Sequence, residues 1–271
     1  MSERVYRAAN VLGRGALRLI GSDTRWTGVE HVPEHGPVIL AATHVSYPDF
    51  VWIERAALER GRFVRFMCRH DVWHLPLVRT AMDRMQHIAV DREAPAAAYL
   101  TARRLLRAGE AVGVFPEAGV SYTYTVRSLM RGVASLARET GAPVVPVAIW
   151  GSQRVWSVGM PDARGRKPPP SLRRGRRVDV SFGQPLVFGD GDELIGFTRR
   201  LGARLTEELE ALQREPHHVP YAGERARWYP APTRAEAEHL DSVPRSAVSP
   251  TWGPGWDAPP PDASPASPGD W

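Results

Sequence analysis

Seven short strand-like runs, spaced by longer amphipathic stretches, constrain this chain's fold more than any other feature. The strand-like runs are residues 25–30, 38–42, 63–67, 87–90, 111–115, 144–149 and 178–182. Helical patterning marks residues 50–60, 94–107, 128–140 and 192–213. Strands that alternate with helices predict an α/β fold, a mixed and mainly parallel sheet flanked by helices. The proline in the sixth run, Pro146, cannot donate to a ladder, so an edge position or a bulge is expected there.

Both ends of the chain differ from this middle. Residues 2–20 read as a helix in which Val5, Ala9, Leu12, Ala16, Leu19 and Ile20 recur at spacings of three and four, with Arg4, Arg7, Arg14 and Arg18 opposite. An ordinary docked surface helix gives this pattern. So does an interfacial helix with arginines toward anionic lipid. From Pro216 onward the chain holds twelve of its 25 prolines. It also holds four arginines and seven acids there, a net of −3 within an overall +5. That composition predicts a disordered tail, with Trp228, Trp252, Trp256 and Trp271 available to dock on the domain or a membrane. The expected units are a helix over 1–21, an α/β domain over 22–215 and the tail over 216–271.

Composition excludes several classes. Cys68 is the only cysteine, so no intrachain disulfide forms. Its place in a strand-like run suits packing better than nucleophilic work. No run approaches the ~18 apolar residues of a spanning helix, and no secretory signal is read. Lys167 is the only lysine, and most of the basic charge between 162 and 177 is arginine. That segment reads as an exposed loop, either a solvated charge run or a contact for phosphates. There is no Gly-rich phosphate loop. Basicity alone, without a recognisable module, does not support nucleic-acid binding. His70 and His74 lack an evident third metal ligand.

The chemistry concentrates in Thr43-His44-Val45-Ser46-Tyr47-Pro48-Asp49. It follows a strand-like run and precedes a helical one. On one straight helix five residues turn the chain by about 500°, which points His44 and Asp49 about 140° apart. The histidine must therefore precede the helix and fold back onto an aspartate in the first turn. Ser46 as N-cap and Pro48 early in the helix would place Asp49 there. Asp49 would then engage one ring nitrogen and leave the other to take a proton from a hydroxyl.

Three later segments accompany the pair. Ile88 to Arg92 closes one strand with an arginine, a natural phosphate ligand. Phe115-Pro116-Glu117-Ala118-Gly119 sets a carboxylate at the end of another, where open α/β sheets bind ligands. The run 144–149 with Pro146 is the third. In order and spacing these blocks resemble the PlsC-like family of lysophosphatidic acid and glycerolipid acyltransferases, over roughly residues 25–190. Two departures stand out. Ala118 occupies a family glycine position and the arginine of that block is missing, with Arg127 and Arg131 shortly downstream. Gln86 or His87 stands where many members have a glycine.

The resemblance implies His44 and Asp49 as a base dyad. It also implies substrate contacts from Arg92, Phe115, Pro116, Glu117, Ala118, Gly119, Arg127 and Arg131, and no bound metal. Acyl-CoA or acyl-carrier protein would serve as co-substrate and a lyso-lipid as acceptor, by default 1-acylglycerol-3-phosphate. Within this reading Arg92 binds the acceptor's phosphate and Glu117 orients a hydroxyl or that arginine. Oxyanion donors are expected among backbone amides near the third block. The enzyme would sit peripherally on the cytoplasmic face of the cell membrane, against anionic lipid. Another lipid acceptor, an amino-lipid or glycolipid, and a non-catalytic membrane-binding module are the alternatives.

Overall fold

The computed structural model describes residues 2–91, 94–121, 124–156, 169–171, 173–220 and 228–230. Seven strands form one sheet in the order β1-β7-β6-β2-β5-β3-β4. These are β1 (Asp23–Thr27), β2 (Val38–Ala42), β3 (Val64–Arg69), β4 (Ile88–Val90), β5 (Ala111–Val114), β6 (Val144–Trp150) and β7 (Arg177–Phe182). β6, β2, β5, β3 and β4 run parallel. β7 runs against β6 and carries β1 parallel to itself on the outer edge. β2 and β6 are buried at every position, as strands covered on both faces must be.

Six α-helices cover the sheet: α1 (Ser2–Leu19), α2 (Asp49–Ala57), α3 (Pro76–Arg84), α4 (Pro95–Arg107), α5 (Gly132–Thr140) and α6 (Leu194–Arg214). The chain leaves β2 toward β3 in one direction and leaves β5 toward β6 in the other. Right-handed crossovers then put α2 and α3 on one face and α4 and α5 on the opposite one. The packing agrees, with α1 against α2 and α3, and α5 against α4 and α6. Ligands bind at such a reversal, at the carboxyl ends of the strands, here those of β2 and β5.

One helix was not expected, and one of the two places offered for Pro146 is excluded. α3 is a helix that the sequence pattern did not announce. It is nine residues long and buries none of them fully, with Leu77, Val78, Ala81 and Met82 as a short apolar stripe. β6 is an interior strand, paired on both sides, so Pro146 is not at an edge. The bulge is found instead: Val144 faces Leu186 and Val147 faces Phe182, so two residues of β6 oppose three of the other chain. Gly183, in that bulge, donates its N–H to Pro146 O at 2.8 Å, and a Cβ on it would lie 2.9 Å from the proline ring.

The ends also differ from expectation. α1 docks through Tyr6, which is buried and donates its hydroxyl to Val64 O, and through Gly13 against Val51. The predicted apolar stripe lies about a quarter turn round the helix from this face. Leu12 and Leu19 therefore stand 75% exposed. Beyond α6, the segment 216–220 and residues 228–230 pack on the domain: His218 is buried, and Trp228 and Tyr229 lie against the core. The tail expected from residue 216 thus begins as packed structure. Residues 231–271, with Trp252, Trp256 and Trp271, lie outside the described residues, as does most of the basic loop.

Candidate active site

The site is built at the carboxyl ends of three neighbouring strands. His44 follows β2, Glu117 follows β5 on one side of it, and Ser152 follows β6 on the other. His44 Nδ1 lies 2.9 Å from Asp49 Oδ2. The histidine side chain is 16% exposed and the aspartate fully buried. The fold-back required by the five-residue spacing is therefore present.

Asp49 is held from every side. Oδ2 also accepts the amides of Val45 and Ser46, each at 2.8 Å, and Oδ1 accepts the Ser152 hydroxyl at 2.6 Å. Such a bonded carboxylate cannot swing away from the imidazole without orphaning buried donors. The cap expected from Ser46 is not formed. The preceding residue of α2 is Pro48, no side chain caps it, and Ser46 Oγ donates to Trp156 O at 2.7 Å. Asp49 itself reaches back to two amides that precede the helix, as the acidic member of a capping box does.

Phe115 stacks on the His44 ring, centroids 4.1 Å apart and planes 21° from parallel. Phe66 lies behind it, with 6.1 Å between centroids. Gly113 makes room for this, since a Cβ there would meet Phe66 Cδ1 at 2.4 Å. Phe115 thus fixes the plane of the imidazole, a role that the sequence did not suggest for it.

Glu117 is the main correction. Its buried carboxylate accepts the His44 amide at Oε1, 3.0 Å, and the Arg127 amide at Oε2, 2.8 Å. Burial pushes its pKa up to about 8, with the nearby Asp49 adding to the rise, against the two amides and the Arg127 charge. Each oxygen holds a backbone amide, so this side chain serves as a strut between two loops, a role that the sequence reading did not give it. The neighbouring turn is tied to the same frame. Ser121 N donates to His44 O at 2.7 Å, Met130 N to Pro116 O at 2.8 Å, and Ala118 N to Phe115 O at 3.1 Å. The amides of Ala118 and Ser121 are therefore committed and do not serve an oxyanion.

The remaining expected residues fall as follows. Ala118 has a left-handed backbone, φ 53°, and Gln86 has φ 57°. Ala118, and Gln86 as one of the two residues read at the other family glycine, thus carry the conformation that glycine tolerates best. Arg127 lies over Gly119, whose added Cβ would be 2.6 Å from Nη1, and donates to Val120 O. It reaches the third block from ten residues beyond Glu117 and does put a guanidinium on that turn. Arg131 is exposed at the start of α5. Arg92 lies outside the described residues. The end of β4 that precedes it is on the same sheet edge as His44, three strand spacings or about 14 Å along. Cys68 is held up at about 12 by burial, which suits packing. His70 and His74 sit ring to ring at 5.4 Å in the turn His70–His74.

Among the described residues, Asp179, His217 and His218 have donor atoms close enough together to suit a metal ion. Sequence reasoning missed this group, which joins β7 to the segment after α6. Arg154 contacts His218 Nδ1. A guanidinium only donates, so Nδ1 accepts and the ring proton sits on Nε2, toward Asp179. That nitrogen has no lone pair for a metal, and the group reads as a hydrogen-bond hub.

Comparison with known proteins places this geometry in context. Residues 23–150 match the Acyltransferase family model. A 1-acyl-sn-glycerol-3-phosphate acyltransferase from Borreliella burgdorferi is 28% identical over 139 residues, 50% of this chain and 54% of that protein. A chloroplastic 1-acyl-sn-glycerol-3-phosphate acyltransferase from Arabidopsis thaliana is 26% identical over 136 residues, 49% of this chain and 37% of that protein. The chain spans about half or less of the length of these relatives. The crystal structure of PlsC, the 1-acyl-sn-glycerophosphate acyltransferase of Thermotoga maritima, superposes with a TM-score of 0.64 at 21% identity, covering 79% of this chain and 82% of that one. The fold is therefore that of PlsC, and the family resemblance drawn from the motif blocks holds over residues 23–150.

Proposed function

We propose that this chain, whose residues 23–150 form an acyltransferase-family segment, moves a fatty acyl group from a thioester to a lyso-lipid hydroxyl. The donor is acyl-CoA or acyl-carrier protein, and the default acceptor is 1-acylglycerol-3-phosphate, with phosphatidic acid as product. The observation that carries this reading is the His44 Nδ1 to Asp49 Oδ2 contact of 2.9 Å at the reversal point of the sheet. Engaging Nδ1 leaves Nε2 as the basic nitrogen. It takes the hydroxyl proton as the acceptor oxygen bonds to the thioester carbonyl carbon. The C–S bond then breaks, and the leaving sulfur recovers the proton from His44. Asp49 orients the ring and stabilises the imidazolium, as the aspartate of a triad does. The acceptor is itself the nucleophile, so no side chain need be acylated. Arg92 and Arg127 are the assigned partners of the acceptor's phosphate.

The membrane supplies the acceptor. Leu12 and Leu19 of α1, with Leu75 and Leu77 at the start of α3, are 64–84% exposed, and the two helices pack together. This apolar rim supports peripheral attachment to a membrane; anionic lipid on the cytoplasmic face is the surface that the reading assigns to it. No helix among the described residues is long and apolar enough to cross a membrane.

One observation favours a second acceptor class. The third block carries Ala118 for glycine and has its guanidinium from Arg127, packed on Val120 O. An amino-lipid or glycolipid hydroxyl is the alternative within the same chemistry. Purified protein, labelled acyl-CoA and a panel of lyso-lipid, amino-lipid and glycolipid acceptors separate the two. Transfer to lysophosphatidic acid supports the default. Transfer only to the other acceptors replaces it. No transfer to any, with membrane binding kept by His44→Ala, leaves a non-catalytic module.

A further inference from the structure

Ser152 begins a short 3-10 turn, Ser152–Arg154, directly after β6. Its hydroxyl on Asp49 Oδ1 is the only side-chain bond to that oxygen among the described residues. The two residues behind it are gripped by the segment that follows α6. Gln153 uses its carbonyl oxygen to accept Gly151 N at 2.8 Å and its amide to donate to Trp228 O at 3.2 Å. Arg154 lies 4.3 Å over the Trp228 ring and contacts His218. His218 in turn donates to Asp179 on β7 at 2.8 Å. Tyr229 meets Trp150 edge-on and bonds Gln213 O at 3.0 Å. The turn is thus clamped between the sheet and the chain beyond residue 214.

We propose that Ser152 is a positioning residue of the His44–Asp49 pair, and that the segment around His218 and Trp228 is a strap that sets it through Gln153 and Arg154. This deepens the acyl-transfer reading and rests on it. Serine restrains the carboxylate from the side opposite His44, so rotation of Asp49 about its Cβ–Cγ bond would break the Ser152 and His44 bonds together. Gln153, buried and bonded at both ends, transmits the strap's position to the turn. A chain cut after α6 would keep the whole sheet and both members of the pair, yet lose the clamp.

The test compares Ser152→Ala, Trp228→Ala, the double variant and Trp228→Phe in the full chain, by steady-state acyl transfer and by the downfield Nδ1 proton resonance of His44. Loss of one hydrogen bond to a carboxylate corresponds to about a tenfold change. Ser152→Ala and Trp228→Ala are each expected to lower kcat about tenfold with KM little changed. Both move the His44 resonance in the same direction, Trp228→Phe restores it, and the double variant loses no more than Ser152→Ala. A Trp228→Ala protein with wild-type kcat and resonance overturns the strap, as do losses that multiply in the double variant. Trp228→Leu takes the place of Trp228→Ala should the latter not fold. If the wild-type chain transfers no acyl group to any acceptor, the function reading fails on its own. The resonance then decides the strap alone, supporting it if Trp228→Ala moves the signal and overturning it if not.

Discussion

Glu117 Oε1 accepts the backbone amide of His44 at 3.0 Å, so a carboxylate on one strand end fixes the main chain of a histidine on the next. Its other oxygen does the same for Arg127. Truncation to Glu117→Ala strands two buried amides, each costing about 1–3 kcal/mol. The variant should unfold in urea with roughly 2–6 kcal/mol less stability. A side chain that only touched substrate would leave the urea midpoint unchanged and alter KM alone.

Buried Glu54 makes stability depend on pH. Desolvation raises it to about 7, although Val64 N and Asn10 donate to it. At low pH the carboxyl is neutral folded and unfolded, and its contribution is fully present. As pH rises from the ordinary carboxylate range through about 7, the unfolded state ionises first and that stability is lost. Unfolding free energies from urea titrations between about pH 4.5 and 8 should therefore fall for the wild type relative to Glu54→Gln, by on the order of a few kcal/mol. Glu117, raised by burial to about 8, acts in the same direction. A parallel pair of curves would contradict the assignment to Glu54.

Ala118 and Gln86 both hold a positive φ. A left-handed L-residue costs about 1–2 kcal/mol, and glycine's greater unfolded freedom offsets about half of that. Ala118→Gly and Gln86→Gly should each raise Tm by about 2 °C, read by calorimetry. Destabilisation by either would mean that the side chain does more than tolerate its backbone.

The exposed leucines of α1 should matter to lipid and not to folding. Leu12→Ser with Leu19→Ser is expected to reduce pelleting with anionic vesicles several-fold while leaving Tm within about 1 °C, since surface changes cost little. Unchanged pelleting would make α1 a docked helix and nothing more.

Much of this was legible in the sequence. Each of the seven strand-like runs overlaps a strand; β2 and β6 were apolar throughout because strands covered on both faces need to be, whereas the edge strand β1 is polar and alternately exposed. The His44–Asp49 fold-back followed from helix geometry alone. α3 was missed: its apolar stripe, Leu77, Val78, Ala81 and Met82, spans under two turns, too short for its period to fix the element type. Nor was the work of Glu117, whose partners are backbone amides that carry no residue identity. Ser152 meets Asp49 from 103 residues away, a contact that only the strand order β6-β2 creates. The compositional break at Pro216 was real, but His218 and Trp228 pack despite it, through bonds to Asp179, Arg154 and Gln153 that composition does not reveal.

The most direct measurement of the central claim is single-turnover transfer from labelled acyl-CoA to lysophosphatidic acid by wild type and His44→Ala at equal protein. A general base contributes about 10²–10⁴-fold, so the variant should slow by at least a hundredfold with its fold and acceptor binding intact. Equal rates in the two proteins would contradict the assignment of His44 as the base.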